Sequence, residues 1–340
     1  MVSERSLEVL RVIVQDYVAS REPVGSKAIV ERHSFGVSAA TIRNDMALLE
    51  EEELIAAPHT SSGRVPTDKG YRVFVDQLTE LRPLTPAQRS AIETFLGEAV
   101  DLDDVLARTV RLLSQFTSQV ALAQYPTYRG ARIRHVELVS LGPSRLMTVL
   151  ITDTGRVDQR MLEVGSAVDD DTIADLRARI NADLDGLALA DAASRLAALP
   201  ATVAPERADL AAAIASSLTD QVAANRQDRM VVAGAANLAR TQRDFRGSID
   251  PLLDALDEQV TMLKLFGEME LEVDEVRTSI GREHEASGLA ETSVVATGYA
   301  ATGGGVAHLG VLGPTRMDYG NNMAAVRAVA RYLTRLLGED

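Results

Sequence analysis

The chain has 340 residues, 46% of them hydrophobic, no cysteine, and a formal charge of -14. That length allows two or three cores, because a single core rarely grows past about 250 residues, and this apolar content is that of a globular chain rather than a disordered one. Lack of cysteine excludes disulfides, thiolate metal sites and a cysteine nucleophile, and no apolar run reaches the roughly 18 residues of a membrane helix.

The opening MVSERSLEVLRVIV lacks the basic start and apolar block of a signal peptide, which fits a cytoplasmic protein. Charge is unevenly spread. Residues 1–75 hold nine Lys/Arg and eleven Asp/Glu, and the rest hold 26 and 38. The acidity therefore lies mainly outside the N-terminal segment. Net charge speaks to solubility and nonspecific association, not to what one face can bind.

Residues 3–20 read as a helix, with Ser3 as its cap and Leu7, Leu10, Val14 and Tyr17 on one stripe. Pro23 and Gly25 interrupt it. Ser26 is placed to cap a short second helix, KAIVERH, and Gly36 marks the next turn. Ser38 is placed to cap a third helix running to about Glu53. There Ile42, Met46 and Leu49 form an inward stripe. At 100° per residue, Ala40, Asn44 and Ala47 lie opposite that stripe, with Thr41 and Arg43 on its flanks. Glu50 to Glu53 occupy the far end and read as a solvated, mutually repulsive run.

Leu54–Ala57 and Arg64–Val65 read as the two strands of a hairpin, with His59–Gly63 as its turn. A hairpin after a third helix is the wing of a winged helix-turn-helix. Its surroundings carry Arg64, Lys69 and Arg72 against Asp68. His59, Thr60, Ser61, Ser62 and the backbone N–H of Gly63 are suited to phosphate oxygens.

Thr85 to about Phe116 is predicted helical, with Pro86 at its start. IRHVELVSL, RLMTVLITDTG and VDQRMLEV read as strands. From Asp169 to about Gln221 the chain is Ala- and Asp-rich and helical, broken at Pro200 and Pro205. MVVAGAANLA fits either state. Asp250 to about Glu268 is helical, and LEVDEVRTSIG, TSVVATGYAA and VAHLGVLGP are strands around Gly303–Gly305. Asn321 to Leu337 closes the chain as an amphipathic helix. The pattern predicts an α+β fold whose strands, at about 117–165 and 270–313, are split by a mainly helical insertion.

SAATIRNDMALLEEEELIAAPHTSSGRVPTDKGYRVFVDQL, followed near the end by GVLGPTRMDYGNNMAAVRAVARYL, resembles the two signatures of the heat-inducible transcription repressor family HrcA. TIRND alone is shared by many winged-helix repressors; with PHTSSGRVPTDKGYR and GPTRMDY it is specific, and the resemblance spans essentially the whole chain. It implies a bacterial repressor of chaperone operons; no nucleophile–base pair, metal constellation or cofactor motif stands out in the residues, so no enzyme, cofactor or metal is expected. Its expected partners are an inverted-repeat operator in double-stranded DNA (CIRCE), a GroEL-type chaperonin that keeps it competent, and a second copy of itself in a homodimer; no membrane is involved. It also implies the domain plan: a winged helix-turn-helix over 1–80, a helical linker over 81–116, a discontinuous GAF-like domain at 117–168 and 270–340, and an inserted dimerisation domain at 169–269. The expected DNA-binding residues are Ser38, Ala40, Thr41, Arg43, Asn44, His59, Thr60, Ser61, Ser62 and Arg64. Three positions depart from the family pattern: Asp45 where Glu is common, Glu53 where Gly commonly ends the third helix, and Ser62 in place of Ala. A side chain at a left-handed position costs roughly 1 kcal/mol, so the end of that helix is expected to differ in shape.

Each reading has a plainer rival. Thr41, Arg43 and Asn44 also fit an ordinary solvated helix face. The five histidines offer no pair at zinc-ligand spacing, and Glu283-His284-Glu285 reads as a surface loop. No Gly-Lys-Ser/Thr follows Gly303–Gly305, so a hairpin turn is the better reading than a phosphate loop. Arg316 and Asp318 read as residues that fix the loop before the last helix. A second functional reading is a winged-helix regulator that responds to a metabolite held in the GAF-like domain.

Overall fold

The computed structural model describes residues 2–59, 62–78, 83–126, 131–165, 167–226, 229–245, 247–287, 289–301 and 305–338. The N-terminal segment begins with α1 (Glu4–Ser20), where the Ser3 hydroxyl accepts the Ser6 N–H as expected of a cap. The short α2 (Ser26–Arg32) follows. Ser26 is its first residue rather than its cap; Gly25 holds that position and supplies no side-chain bond. α3 (Ala39–Glu51) is capped by Ser38. Leu10, Ile13, Ile29, Ile42 and Leu49 are fully buried and form the apolar centre that these three helices share.

After α3, β1 (Ile55–Ala56) and β2 (Val65–Pro66) pair antiparallel, Ile55 against Pro66 and Ala56 against Val65. Val24, in the α1–α2 connection, adds a third rung through two 2.9 Å backbone bonds with Arg64. This close crossing explains Gly63: a Cβ there would lie 2.6 Å from the Pro23 carbonyl. α4 (Asp68–Asp76), capped by Thr67, presses Gly70 against the Leu54 carbonyl, where a Cβ would sit 2.0 Å from the oxygen.

The region expected as one helix from Thr85 is two: α5 (Pro86–Gly97), started by a reciprocal Thr85–Gln88 capping box, and α6 (Leu102–Thr117), capped by Asp101. Next comes β3 (Val120–Gln124), buried at all five positions. Then follow β4 (Ile133–Gly142), β5 (Arg145–Thr152), β6 (Val157–Glu163), α7 (Asp170–Leu184), α8 (Leu189–Ala198) and α9 (Ala208–Arg226). The chain continues through β7 (Met230–Ala233), α10 (Ala236–Arg240), α11 (Asp250–Glu258) and α12 (Val260–Glu268). The last two were expected as one helix; Gln259, at φ 55°, breaks them apart. β8 (Val276–Ile280), β9 (Thr292–Ala301), β10 (Gly305–Pro314) and α13 (Tyr319–Gly338) complete the chain. β8 starts later than the sequence indicated, because Glu270 and Asp274 both adopt positive φ just before it. Gly303 and Gly304 lie outside the described residues.

The chain forms two compact units. One comprises 1–125, 230–299 and 307–336; the other comprises 126–229 with the short segments 300–306 and 337–340. The first unit contains the N-terminal helices and a five-stranded sheet in the order β7-β3-β10-β9-β8. Val120, Leu122, Val294, Ala296 and Leu312 of that sheet bury against Leu252, Leu256, Met262 and Phe266 of α11 and α12. The second unit has its own antiparallel sheet, β4-β5-β6, covered by α7, α8 and α9. Asn181 of α7 continues β4's bonding with its side chain, accepting the Val136 N–H at 2.8 Å and donating to the Val136 carbonyl at 2.7 Å.

The boundaries therefore differ from the expected plan. β4–β6 were expected with the C-terminal strands but form their own sheet, in the compact unit built mainly of 126–229. β7 and α10–α12 were assigned to the insertion but belong with the first unit, since β7 pairs with β3 from Ala121↔Ala233 to Gln124↔Met230.

Candidate nucleic-acid interface

α3 presents two faces. Ile42, Asp45, Met46 and Leu49 are buried, while Ala40, Arg43, Asn44, Ala47 and Leu48 are exposed. The exposed set is small or polar towards the N-terminal end, which lets a helix lie close to another surface. Arg43 has no side-chain hydrogen bond or ion pair among the described residues. The Ser38 hydroxyl accepts the Thr41 N–H at 3.2 Å and lies 3.0 Å from the Thr41 hydroxyl, so these two side chains start the helix.

What orients this face is Asp45, one of the three departures from the family pattern. Its carboxylate is buried and receives Arg5 Nε at 2.8 Å, Arg5 Nη2 at 3.2 Å and the Ser6 hydroxyl at 3.0 Å. The arrangement pins α3 to the first turn of α1. A charged group taken out of water needs such partners to be tolerated, and the carboxylate in turn holds the Arg5 guanidinium above its ordinary pKa. Leu48, half exposed at 50%, extends the outer face and was also missed. A helical wheel would have found it, one turn beyond Asn44.

At the acidic end of α3, Glu51 to Glu53 are exposed as expected, but Glu50 is engaged. Glu50 accepts Arg64 Nη2 at 2.8 Å and Nε at 3.0 Å. Glu53 takes φ 60°, a left-handed position that favours Gly. The Leu54 N–H reaches the Leu49 carbonyl at 2.8 Å and the Glu53 N–H reaches Glu50 at 3.0 Å, a Schellman closure. Lys69 Nζ and the Thr67 hydroxyl take the Glu52 and Glu53 carbonyls.

The hairpin's cations are thus engaged inside the fold. Arg64 fixes the hairpin to α3 and donates to the Ser62 carbonyl. The Ser62 hydroxyl accepts the His59 N–H at 3.0 Å and donates to its carbonyl at 2.7 Å, so it is engaged within the turn. The His59 side chain is exposed. Thr60 and Ser61 lie outside the described residues.

Two anchors tie this segment to the rest of its unit. Arg72 of α4 donates to Glu283 through Nε at 2.7 Å and through Nη2, and to the Thr278 carbonyl at 2.6 Å. Beside it, Gly281 at φ 54° lies so close to Asp68 that a Cβ would meet the carboxylate at 2.3 Å. His284 is buried, not part of a surface loop. Its Nε2–H donates to the Leu289 carbonyl at 2.9 Å, which leaves Nδ1 to accept from Ser279 at 2.7 Å. Burial pulls its pKa below the usual 6.5.

The second anchor is Arg316. It donates to Asp244 at 2.9 and 3.2 Å, to the Tyr17 carbonyl at 3.2 Å and to the Val18 carbonyl, while Arg21 reaches the same Asp244 at 3.0 Å. Arg316 therefore does more than fix its own loop. Asp318 does act locally, accepting the Asn321 N–H at the start of α13. Tyr319 packs on Tyr71 with ring centroids 5.6 Å apart; burial and the loss of water push its phenol pKa well above 10.

Known proteins agree with the signatures. Residues 103–323 match the model of the HrcA protein C-terminal domain. The chain is 67% identical over 339 residues to a heat-inducible transcription repressor HrcA of Clavibacter michiganensis subsp. michiganensis, with 100% of both chains covered. It is 64% identical over 339 residues to that of Leifsonia xyli subsp. xyli, again covering 100% of both. A crystal structure described only as a hypothetical protein superposes with a TM-score of 0.71 over 98% of each chain at 24% identity, which speaks to the fold alone. An α+β chain with these relatives is a transcription repressor of the stress response. It belongs to the HrcA family of heat-inducible transcription repressors. Among the described residues, no helix is long and apolar enough to cross a membrane.

Proposed function

We propose that this chain represses chaperone operons by binding, as a homodimer, an inverted-repeat operator of the CIRCE type. The observation that carries the reading is the exposed α3 face of Ala40, Arg43 and Asn44, held outward by Asp45 beside the β1–β2 hairpin. In this reading residues 1–78 are a winged helix-turn-helix, and α3 enters the major groove. Arg43 suits the O6 and N7 of guanine, and Asn44 suits adenine. Ser38, Thr41, His59, Thr60 and Ser61 meet backbone phosphates, while Ser62, whose donors are taken by the His59 carbonyl, holds the turn and Arg64 serves mainly to set the hairpin angle. Protein two-fold symmetry then matches the two half-sites. The five-stranded sheet is read as a GAF-like core, and the 126–229 unit as the dimerising insertion.

A GroEL-type chaperonin keeps the repressor competent in this scheme. If only the native dimer binds DNA, a change of about 1–2 kcal/mol in stability alters operator occupancy several-fold. Titrating the purified protein into a duplex with the inverted repeat, and into a scrambled duplex, at two salt concentrations tests the operator reading. Tight, sequence-dependent binding is expected, directly or after incubation with chaperonin and ATP. Equal affinity for both duplexes under all of these conditions would overturn it.

A further inference from the structure

α5 and α13 line a cleft of about 290 Å³ that the operator reading does not use. Leu84, Ile92 and Ala324 are buried beneath it. Four guanidinium groups stand on its walls: Arg89 from α5, and Arg327, Arg331 and Arg335 from α13. The last three recur every four residues, so α13 stacks like charges on one stripe, which is unfavourable on an isolated helix. Among the described residues the lining holds one carboxylate, Glu93, 3.9 Å from Arg335. Arg331 pairs at 3.0 Å with Asp274, which does not line the cleft. Arg327 is half-buried and, like the exposed Arg89, has no side-chain hydrogen bond or ion pair among the described residues.

A partly desolvated guanidinium without a partner is costly. The helix dipole accounts for Arg335 in the last turn of α13 but not for Arg327, about two turns earlier, because that effect fades within one turn. Bulk charge does not account for the cluster either, since the whole chain carries -14. An oxyanion relieves the repulsion and supplies the missing partner, and paired guanidiniums match phosphate geometry with bidentate bonds. Tyr332, whose ring lies 5.0 Å beneath the Arg335 guanidinium, and Ile92 add an apolar, partly aromatic surface.

We propose that this cleft binds a small phosphorylated compound with an apolar or planar body, about the size of a mononucleotide. The site lies apart from α3, and the proposal stands whether or not the operator reading does. Isothermal titration of the full-length protein with adenosine 5′-monophosphate and pyrophosphate tests it, with adenosine as the uncharged control. Saturable binding of the phosphorylated probes is expected, with adenosine silent. Arg327→Gln is expected to weaken that binding about tenfold, as loss of a charge-assisted bond does. Arg89→Gln, on the exposed wall, does the same without disturbing a packed helix. No saturable binding by the unmodified protein, or equal affinity in both variants, overturns the proposal. So does a loss of scrambled-duplex binding in Arg327→Gln with the small probes unaffected, which assigns these arginines to a DNA backbone instead.

Discussion

Arg43 and Arg72 lie 29 positions apart in one N-terminal segment, yet the fold uses them in opposite ways. Arg43 projects from α3 with its charge unused. Arg72 is closed onto Glu283 and a backbone carbonyl, as Arg64 is onto Glu50. A count of basic residues treats all three alike. The structure divides them into a cation that can meet a ligand and cations that hold the ligand-facing surface in place. If this surface is the DNA interface proposed above, so few unpaired cations release few counterions, and low nonspecific affinity is expected, with discrimination resting on α3.

That division is open to direct attack. Arg316→Ala removes the most enclosed of the engaged cations and leaves Asp244 with Arg21 alone; a loss of about 3 kcal/mol in unfolding free energy is expected by chemical denaturation. A drop below ~1 kcal/mol would mean that the anchor is dispensable. Arg43→Ala and Asn44→Ala should do the reverse, each weakening operator binding by about 1–3 kcal/mol while the denaturation midpoint stays put. A shift in midpoint without loss of affinity would erase the distinction between the two kinds of cation. Arg72→Ala is expected to cost about 1 kcal/mol of stability, because both it and Glu283 are partly exposed to solvent screening. Scrambled-duplex affinity should not change.

The smallest effect concerns pH. Burial holds His284 neutral and its pKa below 6.5. The unfolded chain takes up that proton first, so the contribution to stability is complete above about pH 6.5 and declines as pH falls towards the lower native value. Melting curves across this range should slope less steeply in His284→Gln than in the unmodified protein.

Much of this architecture was legible in the sequence. Ser3 and Ser38 as caps, the α3 stripe, the β1–β2 hairpin and the closing helix all follow from local spacing, and each is found within a few residues of its expected place. β3 was not legible, because a strand buried at every position shows no alternation and a five-residue apolar run resembles a helix fragment. The membership of β4–β6 was hidden for another reason: which strands pair is decided by tertiary contact, not by the pattern within each strand. Of the interface, the outward residues of α3 could be placed by periodicity alone. Asp45 could not, since its partner Arg5 lies 40 positions away on α1. Nor could the engagement of Arg64 and Arg72, which depends on carboxylates 14 and 211 positions distant.

Arg316 also has a consequence for the order in which the molecule is made. Tyr17 leaves the ribosome 299 residues before the side chain that grips its carbonyl. α1 to α4 can assemble early from their own contacts, as N-terminal parts generally do during synthesis. Glu283 and Thr278 can then take Arg72, but the second anchor must wait for the GPTRMDY segment. A chain that ends before Arg316 then carries α1 to α4 with one of their two anchors missing, and only the nearly finished polypeptide holds both.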